Sequence, residues 1–150
     1  MRIVFDASSH ENAPSLNNAL AKGPNLLPEL FGIFLRFRLR PRAIVGDIRL
    51  AFLLLKWEEK DIDLTRFFWY HIMQENEGQY KTTDEVICYR FTRLPFGLTC
   101  SPFLLSAAVR ELATKHGDDF PLAAHLVDRN IFMDEFAAGA EDDNGVITIY

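Results

Sequence analysis

Three carboxylates at the ends of apolar runs carry the chemistry this chain could do. Asp134 and Glu135 are adjacent in Phe132-Met133-Asp134-Glu135, inside the apolar stretch 131–138. Asp47 closes a second run, Ala43-Ile44-Val45-Gly46-Asp47. Burying a carboxylate is costly unless it is paired or binds a metal, so acids are rarely placed at the ends of strand-like runs for stability alone. Two strands that bring three carboxylates together make an all-oxygen site for a hard cation, with Mg²⁺ the natural occupant. Such a site serves in-line displacement at phosphorus.

The elements that must position these acids are partly readable. A short strand is expected over residues 2–5 and a polar loop over 7–14. Pro28 should open a helix that runs to about residue 39, with Leu27, Leu30, Phe31, Phe34 and Phe37 at helical spacing on one face. Residues 42–47 read as a buried strand and 53–57 as another. Residues 58–63 form a charged turn. Strands over 66–72 and 86–92 should pair through a polar connection, 74–84. Leu94-Pro95-Phe96-Gly97 is a tight turn. Ser101 then caps a helix, with Pro102 at its first position, that runs to Lys115 and stops at Gly117. A hairpin is expected from 131–133 and 136–138 with Asp134 and Glu135 at its tip. An acidic start at Glu141 opens a last helix. The order predicts an α+β fold, an antiparallel sheet with helices packed on one face.

Composition narrows the classes. The chain has 150 residues, 49% hydrophobic and 25% charged, with thirteen Phe and a formal net charge of −5. That suits one globular domain with a real core. A free-standing nucleic-acid binder is usually basic, so any such contact must use a local groove. Cys88 and Cys100 have no metal-type spacing and read as reduced thiols. The four His are scattered and give no zinc pattern. There is no nucleophile elbow, no phosphate-cradling Gly-Lys-Ser/Thr loop and no apolar run of membrane-spanning length. A cytoplasmic location and no membrane partner are expected. Arg36, Arg38, Arg40 and Arg42 cluster where a helix C-terminus favours cations. Asp128 reads as a polar turn residue.

With these residues in order, the chain resembles the reverse-transcriptase domain of Bel/Pao-type long-terminal-repeat retrotransposons. More distantly it is similar to the retroviral and gypsy-type enzymes. The resemblance covers nearly the whole chain. It is carried by Arg2-Ile3-Val4-Phe5-Asp6-Ala7-Ser8, Pro14-Ser15-Leu16-Asn17 and Lys22-Gly23-Pro24-Asn25-Leu26-Leu27-Pro28. It continues through Leu35-Arg36-Phe37-Arg38-Leu39, the segment 47–52 and the segment 89–103, and ends in the hairpin box.

The resemblance implies a right-handed polymerase with fingers and palm, adding deoxynucleotides to a primer on an RNA or DNA template. Residues 1–46 and 58–92 would be fingers-like; 47–57 and 93–150 would be palm-like. Two Mg²⁺ ions about 3.5–4 Å apart, or Mn²⁺, would be held by Asp47, Asp134 and Glu135. The amides of Ile48, Arg49, Leu50 and Ala51 would face the triphosphate. Phe52 would pack under the sugar and exclude a 2′-OH, and Arg2 would lie over the incoming nucleotide. Phe96 would touch the nucleotide or a template base by stacking, beside Gly97, where the backbone comes close. Ser101 and Pro102 match the start of a template-contacting helix.

The sequence departs from the family pattern at Glu135, where Asp is usual, and mildly at Phe132, where Tyr is more common. Glu moves the carboxylate by about 1.5 Å, one C–C bond, and a misplacement near 1 Å at a reacting centre can cost about 10²-fold. The chain reads as a fingers–palm fragment without thumb or ribonuclease H, weak or inactive alone. In the family it would act with the remainder of a polyprotein, in virus-like particles. The alternative is a non-catalytic retroelement remnant or interaction fragment. A viral RNA-dependent RNA polymerase palm is disfavoured by Phe52, since that enzyme must admit the 2′-OH.

Overall fold

Arg42–Asp47 forms a strand, β1, and its β-branched centre explains why. The computed structural model describes residues 4–149. Two short helices precede β1: α1 (Leu16–Ala19) and α2 (Leu30–Arg38). After β1 come α3 (Ala51–Leu54), a 3-10 turn (Ile62–Thr65), and strands β2 (Arg66–Asn76) and β3 (Gln79–Arg90). Helices α4 (Ser101–Lys115) and α5 (Pro121–Asn130), strands β4 (Ile131–Phe132) and β5 (Glu135–Ala140), and α6 (Asp143–Ile149) complete the order.

The architecture is α+β with antiparallel sheets, but there are two sheets rather than one. β1, β5 and β4 make a three-stranded sheet in that spatial order; β2 and β3 make a separate ribbon. β1 is therefore an edge strand. Val45 is 71% exposed, so the strand is not the buried one expected. Helices α2 and α5 pack on β5, where Ala138 and Ala140 are buried.

Several expectations need correction. Helix α2 buries Ile33, while Leu30, Phe31 and Phe34 are exposed. Its sequence, LFGIFLRFR, is apolar on nearly every side, so periodicity could not choose the face. Residues 53–57 form no strand; Ala51–Leu54 is a helical turn that buries Ala51 and Phe52. The ribbon strands run on to a turn at Glu77 and Gly78, through residues expected to be a connection. A ribbon exposed on both faces has no apolar alternation to mark its length. Among the described residues, 4 and 5 form no strand; Val4 makes one isolated parallel bridge to Phe96. Asp128 lies in helix α5 and pairs with Arg110 of α4 at 3.2 Å. Pro121 at the first turn of α5 was the available signal for that helix.

One core joins the segments that frame the acids. Ala7, Ala51, Phe52, Leu94, Leu98, Cys100 and Leu105 form it, with Ile48, Phe96 and Met133 packed against it. Phe5, Phe91 and Phe67 extend it by edge and tilted ring contacts toward the ribbon. Among the described residues, no helix is long and apolar enough to cross a membrane.

Both cysteines are free thiols, Cys88 exposed and Cys100 buried. Burial pushes the Cys100 thiol above its ordinary value, because the thiolate is poorly solvated there. The folded state thus favours the neutral thiol. Its contribution is complete below the unfolded-state pKa of about 8.5 and is lost as pH rises through the folded value. A thiol reagent at neutral pH should label Cys88 within minutes and Cys100 only on unfolding. Denaturation midpoints should fall above about pH 8.5 in the native chain and fall less in Cys100→Ala.

Candidate functional site

The antiparallel register of β1 and β5 places Asp47 directly opposite Glu135. Directly opposed residues project from the same face, with Cβ atoms about 4.5–5.5 Å apart. One residue further on, the Ile48 N–H donates to the Asp134 carbonyl at 2.8 Å. The two sequence-distant acid segments are thus locked together by backbone pairing. Asp47 and Glu135 are exposed and Asp134 is half-buried. Like charges placed opposite each other in a sheet repel. Among the described residues, none of the three acids makes an ion pair with Lys, Arg or His, and no group of three or more His, Cys, Asp or Glu is placed to hold a metal ion.

The hairpin differs from expectation at its tip. Met133 and Asp134 are the two turn residues, while Glu135 is the first residue of β5, paired with Phe132 as well as Asp47. Met133 has φ 62, and Leu50, three residues past Asp47, has φ 58. A left-handed backbone costs a non-glycine residue roughly 1–2 kcal/mol. Strain of this kind clusters at functional sites held by their surroundings. Both residues flank the acids, and Met133 is braced on the core. Counting two turn residues between Phe132 and Glu135 would have located the strained position.

The turn 48–51, expected to bind an anion, uses two of its amides within the protein. The Ile48 amide is engaged by Asp134 and the Ala51 amide by the Ile48 carbonyl at 3.1 Å. Arg49 and Leu50 are exposed. Phe52 is 5% exposed and meets Phe96 edge-on, ring centroids 4.7 Å apart. Its demonstrated place is in the core beneath the acids. Phe96 is half-buried, and its carbonyl accepts from the Phe5 N–H at 2.9 Å.

Gly97 is fixed by geometry twice over. Its φ is +106, and a Cβ there would lie 1.8 Å from the Phe5 carbonyl oxygen. Ser101 is not the cap: it is the first residue of α4, 3% exposed, and its hydroxyl donates to the Pro95 carbonyl at 3.0 Å. Pro102 follows it and lines a cleft of about 330 Å³. That cleft runs between Lys22, Leu27, Thr99, Phe132 and Met133 and ends at the acid hairpin. Its wall needs Gly23, whose φ is +77 and where a Cβ would lie 2.4 Å from the Phe103 ring. Arg2 lies outside the described residues.

Asn17 ends the segment Pro14-Ser15-Leu16-Asn17. Its side-chain amide donates to the Gly97 carbonyl at 3.0 Å, and its Oδ1 accepts from the Thr99 N–H at 2.8 Å. It also donates to Ser8 Oγ at 2.9 Å. One half-buried side chain thus fastens the N-terminal loop to the Phe96–Gly97 turn. Nothing in the sequence pattern distinguishes this Asn from a polar surface residue. Asn17→Ala should cost about 3 kcal/mol, from three lost bonds at about 1 kcal/mol each. Asn17→Asp should recover part of this, because it keeps the acceptor for Thr99. Urea denaturation of the three proteins checks both expectations.

Compared with models of known protein families and with curated proteins, the chain has no match.

Proposed function

We propose that this chain is a fingers–palm unit of an RNA-directed DNA polymerase of the Bel/Pao type, which transfers deoxynucleotides to a primer end. The observation that carries the reading is the Asp47–Glu135 register with the Ile48 amide bonded to Asp134. Backbone pairing sets Asp47 opposite Glu135 and ties the Asp134 carbonyl to the Ile48 amide, which supports a common site for the three acids. The donor set is all carboxylate, which fits Mg²⁺ or Mn²⁺. Asp47, Asp134 and Glu135 would hold the ions. When bound, they would neutralise charge on the phosphates and lower the pKa of the attacking 3′ hydroxyl.

The chain's own residues supply position. Core packing of Phe52 and Met133 supports the acid hairpin and the turn after β1 from below. Arg49 offers a cation to the triphosphate, and the turn amides that are not engaged internally offer donors. Phe96 would lie beside the sugar and base with Phe52 in the core behind it, and Arg2 would complete the nucleotide site through the resemblance alone. The cleft along Pro102 and Met133 runs beside the hairpin, where a template strand would lie. Gly97 keeps the turn close to Phe5. Phosphoryl transfer depends on such positioning and charge more than on covalent help.

Single-nucleotide incorporation on an RNA template with a DNA primer tests the proposal. Incorporation should require Mg²⁺, favour dNTP over NTP, and vanish in Asp47→Asn. A second reading, a folded interaction fragment, is favoured by the exposed Phe68, Trp69 and Tyr70 of the ribbon and Phe31 of α2. Metal binding without incorporation would favour that reading; absence of both would end the polymerase proposal.

A further inference from the structure

Behind the three-stranded sheet lies a second, smaller cleft of about 190 Å³, lined by Arg36, Arg40, His125, Arg129, Ala138 and Gly139 among others. It shares no lining residue with the cleft at the acid hairpin. Three guanidiniums converge here in a chain whose net charge is −5. Arg40 is paired with Glu141. Arg36 donates through Nη2 to the Arg129 carbonyl, and Arg129 Nη1 lies 3.3 Å from His125 Nε2. The other nearby acids are engaged elsewhere, Asp128 with Arg110 and Asp143 with Arg42. The Arg36 Nε–H is buried and has no partner among the described residues. A buried donor left in this state is costly, and a guanidinium edge is shaped for a tetrahedral oxyanion.

We propose that this cleft is a binding site for a phosphate-class oxyanion, held by Arg36 and Arg129 with Arg40 at its rim. The volume holds several waters at about 30 Å³ each, which suits a phosphate group with its contacts. Ala138 and Gly139 line its floor, with the Arg40 stem packed close on Gly139. Free phosphate and the terminal phosphate of a nucleotide or oligonucleotide share this chemistry. The inference does not depend on the polymerase reading, since it uses none of the residues proposed to bind metal, nucleotide or template.

Calorimetric titration of the whole chain with inorganic phosphate tests it, alongside dAMP and a short oligonucleotide with and without a 5′-phosphate. The native chain should bind phosphate at one saturable site. Arg129→Gln and Arg36→Lys should each weaken it at least tenfold, while the remote Lys81→Gln leaves it unchanged. Arg36→Lys keeps the charge and removes the Nε–H, so a folded Lys variant isolates the geometry. A circular dichroism spectrum identical to native establishes that the variants are folded. A preference for the 5′-phosphorylated oligonucleotide over its unphosphorylated form assigns the polynucleotide end as source; equal affinity for free phosphate and dAMP assigns the free anion. Non-saturable binding, or binding that both folded variants retain, overturns the site.

Discussion

Gly97→Ala is expected to destabilise the chain by about 3–5 kcal/mol, combining forbidden backbone with a collision. The residue stands at φ +106, and the added carbon would meet the Phe5 carbonyl oxygen at 1.8 Å. That oxygen belongs to the segment bridged to the Phe96 turn, so neither side can withdraw without breaking the Phe5–Phe96 hydrogen bond. The loss would spread to Phe96, Phe52 and the core under the acids. Gly46→Ala provides the control: nothing lies within 4 Å of a Cβ there. Its effect should stay within about 0.5 kcal/mol, as for ordinary surface changes. Urea denaturation followed by tryptophan fluorescence reads both. Equal midpoints for the two variants would show that the turn has another way to relax.

Glu135→Asp should raise Mg²⁺-dependent nucleotide incorporation by as much as about 10²-fold. β5 pairing fixes the backbone of residue 135 opposite Asp47, so the extra methylene of Glu is carried entirely by the side chain. Shortening it draws the carboxylate back by about 1.5 Å without disturbing the strand. Asp47→Glu is the mirror experiment and should lower the rate by a similar factor. Both use single-turnover incorporation with saturating template–primer. Rates that ignore both changes would place position 135 away from the reacting centre and leave its carboxylate without the role proposed here.

The parts of the fold that were legible are those with strong one-dimensional signals. The bounds of β1 match the expected 42–47, and α4 ends at Lys115 as its pattern required. Pairing of the Asp47 strand with the acid hairpin also agrees with expectation, although Asp47 and Glu135 are exposed, so the cost of a buried carboxylate is not what brings them together. What failed has physical causes. Ser101 has the residue type of a cap, yet its hydroxyl serves the buried carbonyl of Pro95, six residues earlier and outside the helix. Helix α2 offered no polar stripe, so only the sheet could decide that Ile33 turns inward. The Met133 turn takes a conformation that its side chain disfavours, which propensity reads backwards. Asn17 acts through contacts with residues far along the chain, and no local pattern encodes those.

Mg²⁺ titration by calorimetry, with Mn²⁺ paramagnetic resonance as the second readout, tests the central claim most directly. The native chain should take up divalent ions at a site that Asp47→Asn and Asp134→Asn each abolish while the fold persists. Divalent binding that is absent in the native chain, or undiminished in both folded variants, would contradict the account.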